Sequence, residues 1–316
     1  MKKIGILISN LGTPKAPTPK AVRAYLREFL SDPYVVDKPR WFWLPILYGI
    51  ILNIRPKSSA KKYQNIWQDE GSPLLIYSKK ITEKLQQARS DLKISLGMRY
   101  GKPSLEDALT ELEQAKIDEL IILPLYPQYS FSTNKSTIER IKLLLRKKPD
   151  IKIHTIEEYH QHPQYIETLA QSIEHYWQTH GRAQKLVLSF HGLPQAMIAK
   201  GDPYFSHCQT TTKLLIERLK LKADEYTLSF QSRLGVEKWL KPYTMDVMKS
   251  LPNEGYKNIQ VVCPGFACDC LETLEEINME NRDFFLAAGG EHYAYIPCLN
   301  DDDRHIQLLD MLIGIK

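Results

Sequence analysis

Short apolar runs closed by polar, Gly or Pro residues recur along this chain, and helix-like stretches follow them. The clearest run is Leu186-Val-Leu-Ser-Phe190, which leads into His191-Gly-Leu-Pro194. β-forming residues ending in Gly and Pro predict a buried parallel strand that stops at a tight turn. In open α/β folds ligands sit beyond the carboxyl ends of strands. His191 therefore stands where a functional side chain would be placed, although position alone does not separate a catalytic histidine from a structural one.

The pattern is written twice. Ser9, Gly12 and Pro14 fall on Ser189, Gly192 and Pro194 at an offset of 180. Ser95, Arg99 and Gly101 match Ser229, Arg233 and Gly235 at an offset of 134. Pro124-Leu-Tyr126 matches Pro264-Gly-Phe266, and Lys152–Ile156 with Tyr165-Ile166 matches Tyr293–Ile296 with His305-Ile306, both at 140. Four matches in one order predict a duplicated unit. Helices are expected near Pro19–Phe29, Ile81–Ser90, Pro163–Thr179, Thr210–Leu219 and Leu271–Leu286. Strands alternating with helices imply parallel sheets covered on both faces. The expected class is α/β, with two similar Rossmann-like halves of four parallel strands each, residues 1–160 and 161–316. The helix after Asp301 mirrors the one at Pro163 and is expected to pack back on the first half. The strand ends of the halves are expected to face each other across a cleft.

The fall in offset places an insertion between Pro14 and Ser95, a lip near residues 30–75. Its centre, Trp41 to Leu52, is almost all apolar, yet too short to span a bilayer and interrupted by Pro45 and Gly49. Arg40 and Arg55 flank it, and Lys57, Lys61 and Lys62 follow. An aromatic patch rimmed by cations suits a membrane surface or a lid over a flat apolar ligand. Packing between the halves is an equal alternative.

Composition narrows the classes. With 43% hydrophobic and 25% charged residues the chain reads as a soluble globular protein of two domains. A formal net charge of +5 is too mild to point to nucleic acid. Five irregularly spaced cysteines argue against a disulfide scaffold. The start, Met1-Lys-Lys-Ile-Gly-Ile-Leu-Ile, reads as a first strand and not a signal peptide, so a cytoplasmic location is expected.

The strand ends carry an imidazole, carboxylates, tyrosines and an arginine. No G-x-G-x-x-G, P-loop or serine elbow is present, which argues against dinucleotide, ATP or acyl chemistry of the familiar kinds. Asp269-x-x-Glu272 reads as a capping box. Glu272, Glu276 and Glu280 also lie at i, i+4 and i+8, on one helical face, where three like charges repel unless protons or cations pass among them. The solvated-face reading and the carboxylate-ladder reading both stand at this point. Cys263, Cys268 and Cys270 have the spacing C-x4-C-x-C, and a fourth ligand would have to be Cys208 or Cys298. Buried free thiols are the expected state.

Together these residues resemble ferrochelatase, the family that inserts ferrous iron into porphyrin. The resemblance rests on Asn10-Leu-Gly-Thr-Pro14, Gly97-Met-Arg-Tyr100, Leu125-Tyr-Pro-Gln-Tyr-Ser-Phe-Ser-Thr133, Ser189-Phe-His-Gly-Leu-Pro194, Gly201-Asp-Pro-Tyr204, Phe230-Gln-Ser-Arg-Leu-Gly235 with Trp239-Leu, and Cys263-Pro-Gly-Phe266 with Leu271-Glu-Thr-Leu274. It implies the chelatase fold with an active-site cleft between the halves. The family's invariant histidine falls on His191 and its essential glutamate on Glu272. Leu11, Tyr63, Arg99 and Tyr126 fall where relatives line or approach the macrocycle, and Ser130 and Trp239 are further substrate-binding candidates. Leu11 departs from the methionine of animal enzymes, and Tyr159 stands for their tryptophan wall. Some relatives carry an iron–sulfur cluster on a C-terminal extension, which this chain, ending at Lys316, is not expected to hold.

The resemblance implies insertion of Fe2+ into protoporphyrin IX as the last step of haem synthesis, with iron as substrate and no cofactor. Imidazole and carboxylate suit transient iron ligation and removal of two pyrrole protons. His191 and Glu272 would take these roles, with Glu276 and Glu280 continuing an exchange path for protons or metal. Arg40, Arg55 and Lys57 are candidate propionate partners. The protein is expected to touch the inner face of the membrane through residues 41–52. Insertion of another metal, iron insertion into coproporphyrin, or a non-catalytic tetrapyrrole carrier are the alternatives.

Overall fold

Parallel strands covered on both faces need nearly unbroken apolar runs, and the central strands here have them. The computed structural model describes residues 2–146, 151–233, 235 and 237–314. The strands are β1 Ile4–Gly12, β2 Lys93–Tyr100, β3 Glu119–Pro124, β4 Lys152–Thr155, β5 Lys185–His191, β6 Tyr226–Gln231, β7 Asn258–Val262 and β8 His292–Ile296. All their pairings are parallel, in two four-stranded sheets of order β2-β1-β3-β4 and β6-β5-β7-β8. The chain divides into two units, Met1–Glu158 with Leu309–Lys316, and Tyr159–Leu308. The last helix, Asp303–Gly314, thus begins in the second unit and ends in the first, where Asp310 accepts a hydrogen bond from Arg89 at 2.9 Å.

Each unit has its own core. Leu7, Leu120 and Ile122 meet Leu105, Leu112, Ile141 and Leu145 from the helices Leu105–Gln114 and Ser136–Leu145 in the first. In the second, Val187, Ile259 and Val261 pack with Val247, Met248, Ile277 and Phe285. Helix starts follow local chemistry. Ser104 and Asp107 form a capping box, and Thr18 and Ser72 cap helices that open on Pro19 and Pro73. The helix expected at Ile81–Ser90 therefore starts earlier, at Pro73, and ends at Ala88. The helix expected from Thr210 likewise starts at Tyr204.

The register revises one match in the repeat. Ser9 lies opposite Gly97, whereas Ser189 lies opposite Ser229. Arg99 therefore corresponds to Gln231 and not to Arg233, which lies past the end of β6. Two hydrogen bonds agree: the Met98 amide donates to Pro103 O, and the Phe230 amide donates to Pro242 O. Leu234, between Arg233 and Gly235, lies outside the described residues.

The lip is helical. A helix Arg40–Ile46 runs through a π-helical turn, Leu47–Ile51, into the helix Leu52–Ile66. Leu47 and Leu52 are fully buried, while Trp41 is 80% and Ile54 69% exposed, with Phe42, Tyr48 and Ile50 also exposed. Trp43 is half-buried and its indole N–H donates to Leu30 O at 2.7 Å. The segment both anchors in the first unit and presents an aromatic face outward. No described helix is long and apolar enough to cross a membrane. Leu47→Ala should cost ~2–5 kcal/mol through the cavity it leaves, and Trp41→Ser less than about 0.5 kcal/mol. Urea unfolding followed by tyrosine and tryptophan fluorescence will measure both.

Candidate functional site

In each unit the first strand lies between the next two in sequence, so the strand order reverses there, and ligand sites form beyond the carboxyl ends at such a switch. The turn after each first strand needs glycine. A Cβ on Gly12, at φ +107°, would lie 1.7 Å from Tyr100 O, and one on Gly192 would lie 2.7 Å from Gln231 O. The flanking side chains differ: Leu11 precedes the first glycine and His191 the second.

His191 is half-buried at the end of β5. Its Nδ1 lies 2.7 Å from Gly192 O, a group that can only accept, so Nδ1 carries the proton and Nε2 keeps its lone pair. Burial lowers its pKa from the usual 6.5, opposed by the charge of Glu272 and the bond to Gly192. Beside it, Gln231 ties three elements together. Its Oε1 accepts from Ser189 Oγ at 2.7 Å and from the Cys263 thiol at 3.6 Å, and its Nε2 donates to Glu272 O at 2.8 Å.

Glu272 opens a π-helix, Glu272–Asn281, that continues as an α-helix, Arg282–Ala287. The expected capping box is not made. Asp269 Oδ1 accepts from Thr273 Oγ1 at 3.0 Å and Tyr295 OH at 2.5 Å, its Oδ2 accepts from Asn300 Nδ2 at 2.6 Å, and its own amide donates to Asn300 Oδ1. Glu272 is thereby released from a capping duty, and its carboxylate interacts with the Cys270 thiol. Burial and this carboxylate push the thiol pKa well up.

Among the described residues, the Glu276 carboxylate is held by Ser232. Ser232 donates its amide to Oε1 at 2.6 Å and its hydroxyl to Oε2 at 2.5 Å. To do so Ser232 adopts a left-handed backbone, φ +67°, uncommon for a residue other than glycine. Burial nevertheless raises the Glu276 pKa to about 7, with Glu272 and Glu280 adding repulsion and Ser232 opposing it. The solvated-face reading of this carboxylate row thus fails at Glu276. Trp239 is half-buried, and a Cβ on Gly192 would meet its ring at 3.2 Å. Tyr159 is buried, 5.5 Å edge-on from Tyr165.

The remaining candidates lie in the first unit. Arg99 donates Nε to Ser136 Oγ at 2.8 Å and pairs with buried Asp32, which also accepts from Tyr100 OH at 2.8 Å and Ser136 Oγ at 2.6 Å. This guanidinium is already committed to a buried carboxylate. Asp32 and Ser136 lie far from Arg99 in sequence, and no local signal announces either. Leu11 is half-buried. Tyr126 is half-buried and its carbonyl accepts from Asn134 Nδ2 at 3.2 Å. Ser130 is buried and caps the π-helical turn Phe131–Lys135. Tyr63 is buried on the helix Leu52–Ile66, edge-on to Trp67. Among the cationic candidates, Arg40 donates to Ser31 O at 2.9 Å and Lys57 is exposed. All five cysteines are buried and none is in a disulfide.

A family model for ferrochelatase matches residues 3–315. The chain belongs to the ferrochelatase family. It is 50% identical to a ferrochelatase of Marinobacter nauticus over 98% of this chain and 86% of that one. It is 47% identical to a ferrochelatase of Vibrio cholerae over 99% and 98%. Family members are metal chelatases that insert iron into porphyrin, the last step of haem synthesis. Among solved structures, SirB from Bacillus subtilis with Fe3+ superposes with a TM-score of 0.57 at 12% identity, covering 98% of this chain and 95% of that one. CbiX, a terminal enzyme of sirohaem synthesis, gives 0.53 at 14%, covering 98% of each. At these identities the ferrochelatase chain and these chelatases share the fold.

The folded pKa of Glu276 lies above its unfolded value. Its stabilising contribution is therefore present at low pH and lost as pH rises from about 4.5 through about 7. Glu276→Gln, which keeps an acceptor for the Ser232 amide, should remove that loss and be the more stable protein above pH 7.5 by a few kcal/mol. Melting curves between pH 5 and 8.5 will show whether the two profiles separate in this direction.

Proposed function

We propose that the chain inserts Fe2+ into protoporphyrin IX, with His191 and Glu272 at the reacting centre. The observation that carries this is the His191 tautomer. With Nδ1–H committed to Gly192 O and the charged form disfavoured by burial, Nε2 presents a neutral lone pair at physiological pH. Metallation replaces two pyrrole N–H bonds by bonds to iron and releases two protons. Nε2 accepts the two protons one at a time as iron enters, passing the first to the carboxylate row before it takes the second, and the Glu272 carboxylate, whose charge favours imidazolium, stabilises the product of each transfer. Glu276, close to half-protonated near pH 7, is matched to pass the proton on, and Glu280 extends the row. Imidazole and carboxylate bind Fe2+ transiently, whereas a set of thiolates would retain it.

Substrate contacts are assigned to Leu11, Tyr63, Tyr126 and Ser130 of the first unit, and to Tyr159 and Trp239 of the second. Arg99 acts in this reading as a positioning residue, since Asp32 neutralises it. Propionate carboxylates are assigned to Arg55 and Lys57 beside the lip. The exposed face of Trp41, Phe42, Ile50 and Ile54 is assigned to contact with a membrane surface, which suits exchange of an apolar substrate and product.

Mixing protein, protoporphyrin and Fe2+ under anaerobic conditions should give the absorbance change of metallation. Porphyrin binding without metallation would identify a carrier, and faster turnover with coproporphyrin or Co2+ would reassign the substrate. His191→Ala should lower kcat by ~10²–10⁴-fold and Glu272→Gln by a similar factor, both with unchanged melting temperature. The acid limb of kcat should lie below pH 6.5, because His191 stays neutral to lower pH than an ordinary histidine. Near-normal turnover by His191→Ala would end the mechanism. Flotation with anionic vesicles should recover the wild type, and a Trp41, Phe42 and Ile54 triple-serine variant much less.

A further inference from the structure

Beginning at the residue after Tyr159, two imidazoles of the second unit that the proposed insertion chemistry does not use lie face to face. His160 is buried just before the helix Pro163–His180, and His207 is half-buried in the first turn of the helix Tyr204–Leu219. Their rings stack with centroids 3.7 Å apart and planes within 7°. Thr211 Oγ1 donates to His160 O at 2.8 Å, which pins the His160 backbone to the helix that carries His207. The two histidines offer ligand atoms within 4.8 Å of each other. Burial disfavours the charged form of both rings, so each is a neutral ligand at physiological pH.

The carboxylate of Asp202 is buried, and its negative charge acts on the His207 ring. Asp202 is itself held by the Tyr204 amide at 3.0 Å. A further carboxylate, Glu158, stands two residues before His160 in the chain. We propose that His160 and His207 form a second divalent-metal site, for a borderline ion such as Zn2+, Co2+ or Fe2+, apart from the insertion chemistry. Neutral imidazoles select this class over Mg2+ and Ca2+. In a parallel stack the two lone pairs run side by side, so a shared ion requires one ring to turn. His207, the more exposed of the two, is the ring that turns. Asp202 is a positioning residue in this site.

The proposal is tested on the full chain carrying His191→Ala and Glu272→Gln, so the result does not depend on what those residues bind. Equilibrium dialysis with Zn2+ should find one tight equivalent in this background, and Co2+ should give visible d–d absorption. Adding His207→Gln or His160→Gln should weaken Zn2+ at least ~10-fold and abolish the Co2+ bands, and Asp202→Asn should weaken Zn2+ by ~10–100-fold. Zn2+ should raise the melting temperature of the background protein and not that of the His207→Gln protein. Because His207 is only half-buried, its glutamine variant keeps the test clear of misfolding. No bound Zn2+ in the background protein, or equal binding after both histidine substitutions, would overturn the site.

Discussion

Gln231 is the side chain that joins the elements of the second unit's candidate site. One amide at the end of β6 bonds the serine of β5, the thiol after β7 and the first carbonyl of the wide helix, while its backbone carbonyl accepts the Gly192 amide at 2.8 Å. A buried amide with both ends satisfied is worth more than its pairwise bonds, because removing one partner strands the others. It fixes the turn that carries His191 and the helix start that carries Glu272 with respect to each other.

The wide helix follows from what surrounds it. A π-helix gives up regular α geometry and survives where side chains hold its irregular backbone. Here Thr273 is held by Asp269, Asn281 Nδ2 donates to Glu276 O at 2.8 Å, and Tyr293 OH donates to Ile277 O at 2.5 Å. Ile277 and Phe285 bury the opposite side in the core. The helix can therefore carry Glu272, Glu276 and Glu280 on its other side without unravelling. Burial then does the electrostatic work: it keeps His191 neutral and lifts Glu276 to the range where it exchanges protons near neutral pH.

The duplication was legible because every strand is short, apolar and closed by turn residues, and because the glycines at 12 and 192 must recur where a strand end crowds them. The register of β2 against β6 was not, because Arg99 and Arg233 look alike while the residue that shares Arg99's place is a glutamine. The helix type was hidden for a different reason. Three glutamates at a spacing of four read as one face of an α-helix, and the bonds that hold its wider backbone come from residues up to 16 positions away. The apparent capping box failed for the same cause: Asp269 had stronger partners in Tyr295 and Asn300. The lip was read as either core or surface, and alternate positions serve each.

The two copies of the turn also differ in how the charges beside them are partnered. In the first unit the strand-end charge is closed upon itself: Arg99, Asp32, Ser136 and Tyr100 leave no net charge to offer, and the residue on the turn is a leucine. In the second unit the corresponding strand end carries a neutral glutamine, the turn carries a histidine, and a row of carboxylates follows with no arginine or lysine bonded to Glu276 among the described residues. A carboxylate bonded to a fixed guanidinium, as Asp32 is to Arg99, suits a scaffold. A carboxylate balanced only by a serine and by burial changes its charge near neutrality, which suits proton transfer. The matched strand ends therefore differ in the partners of their charged groups, while the sheet order and the crowded glycines are the same in both units.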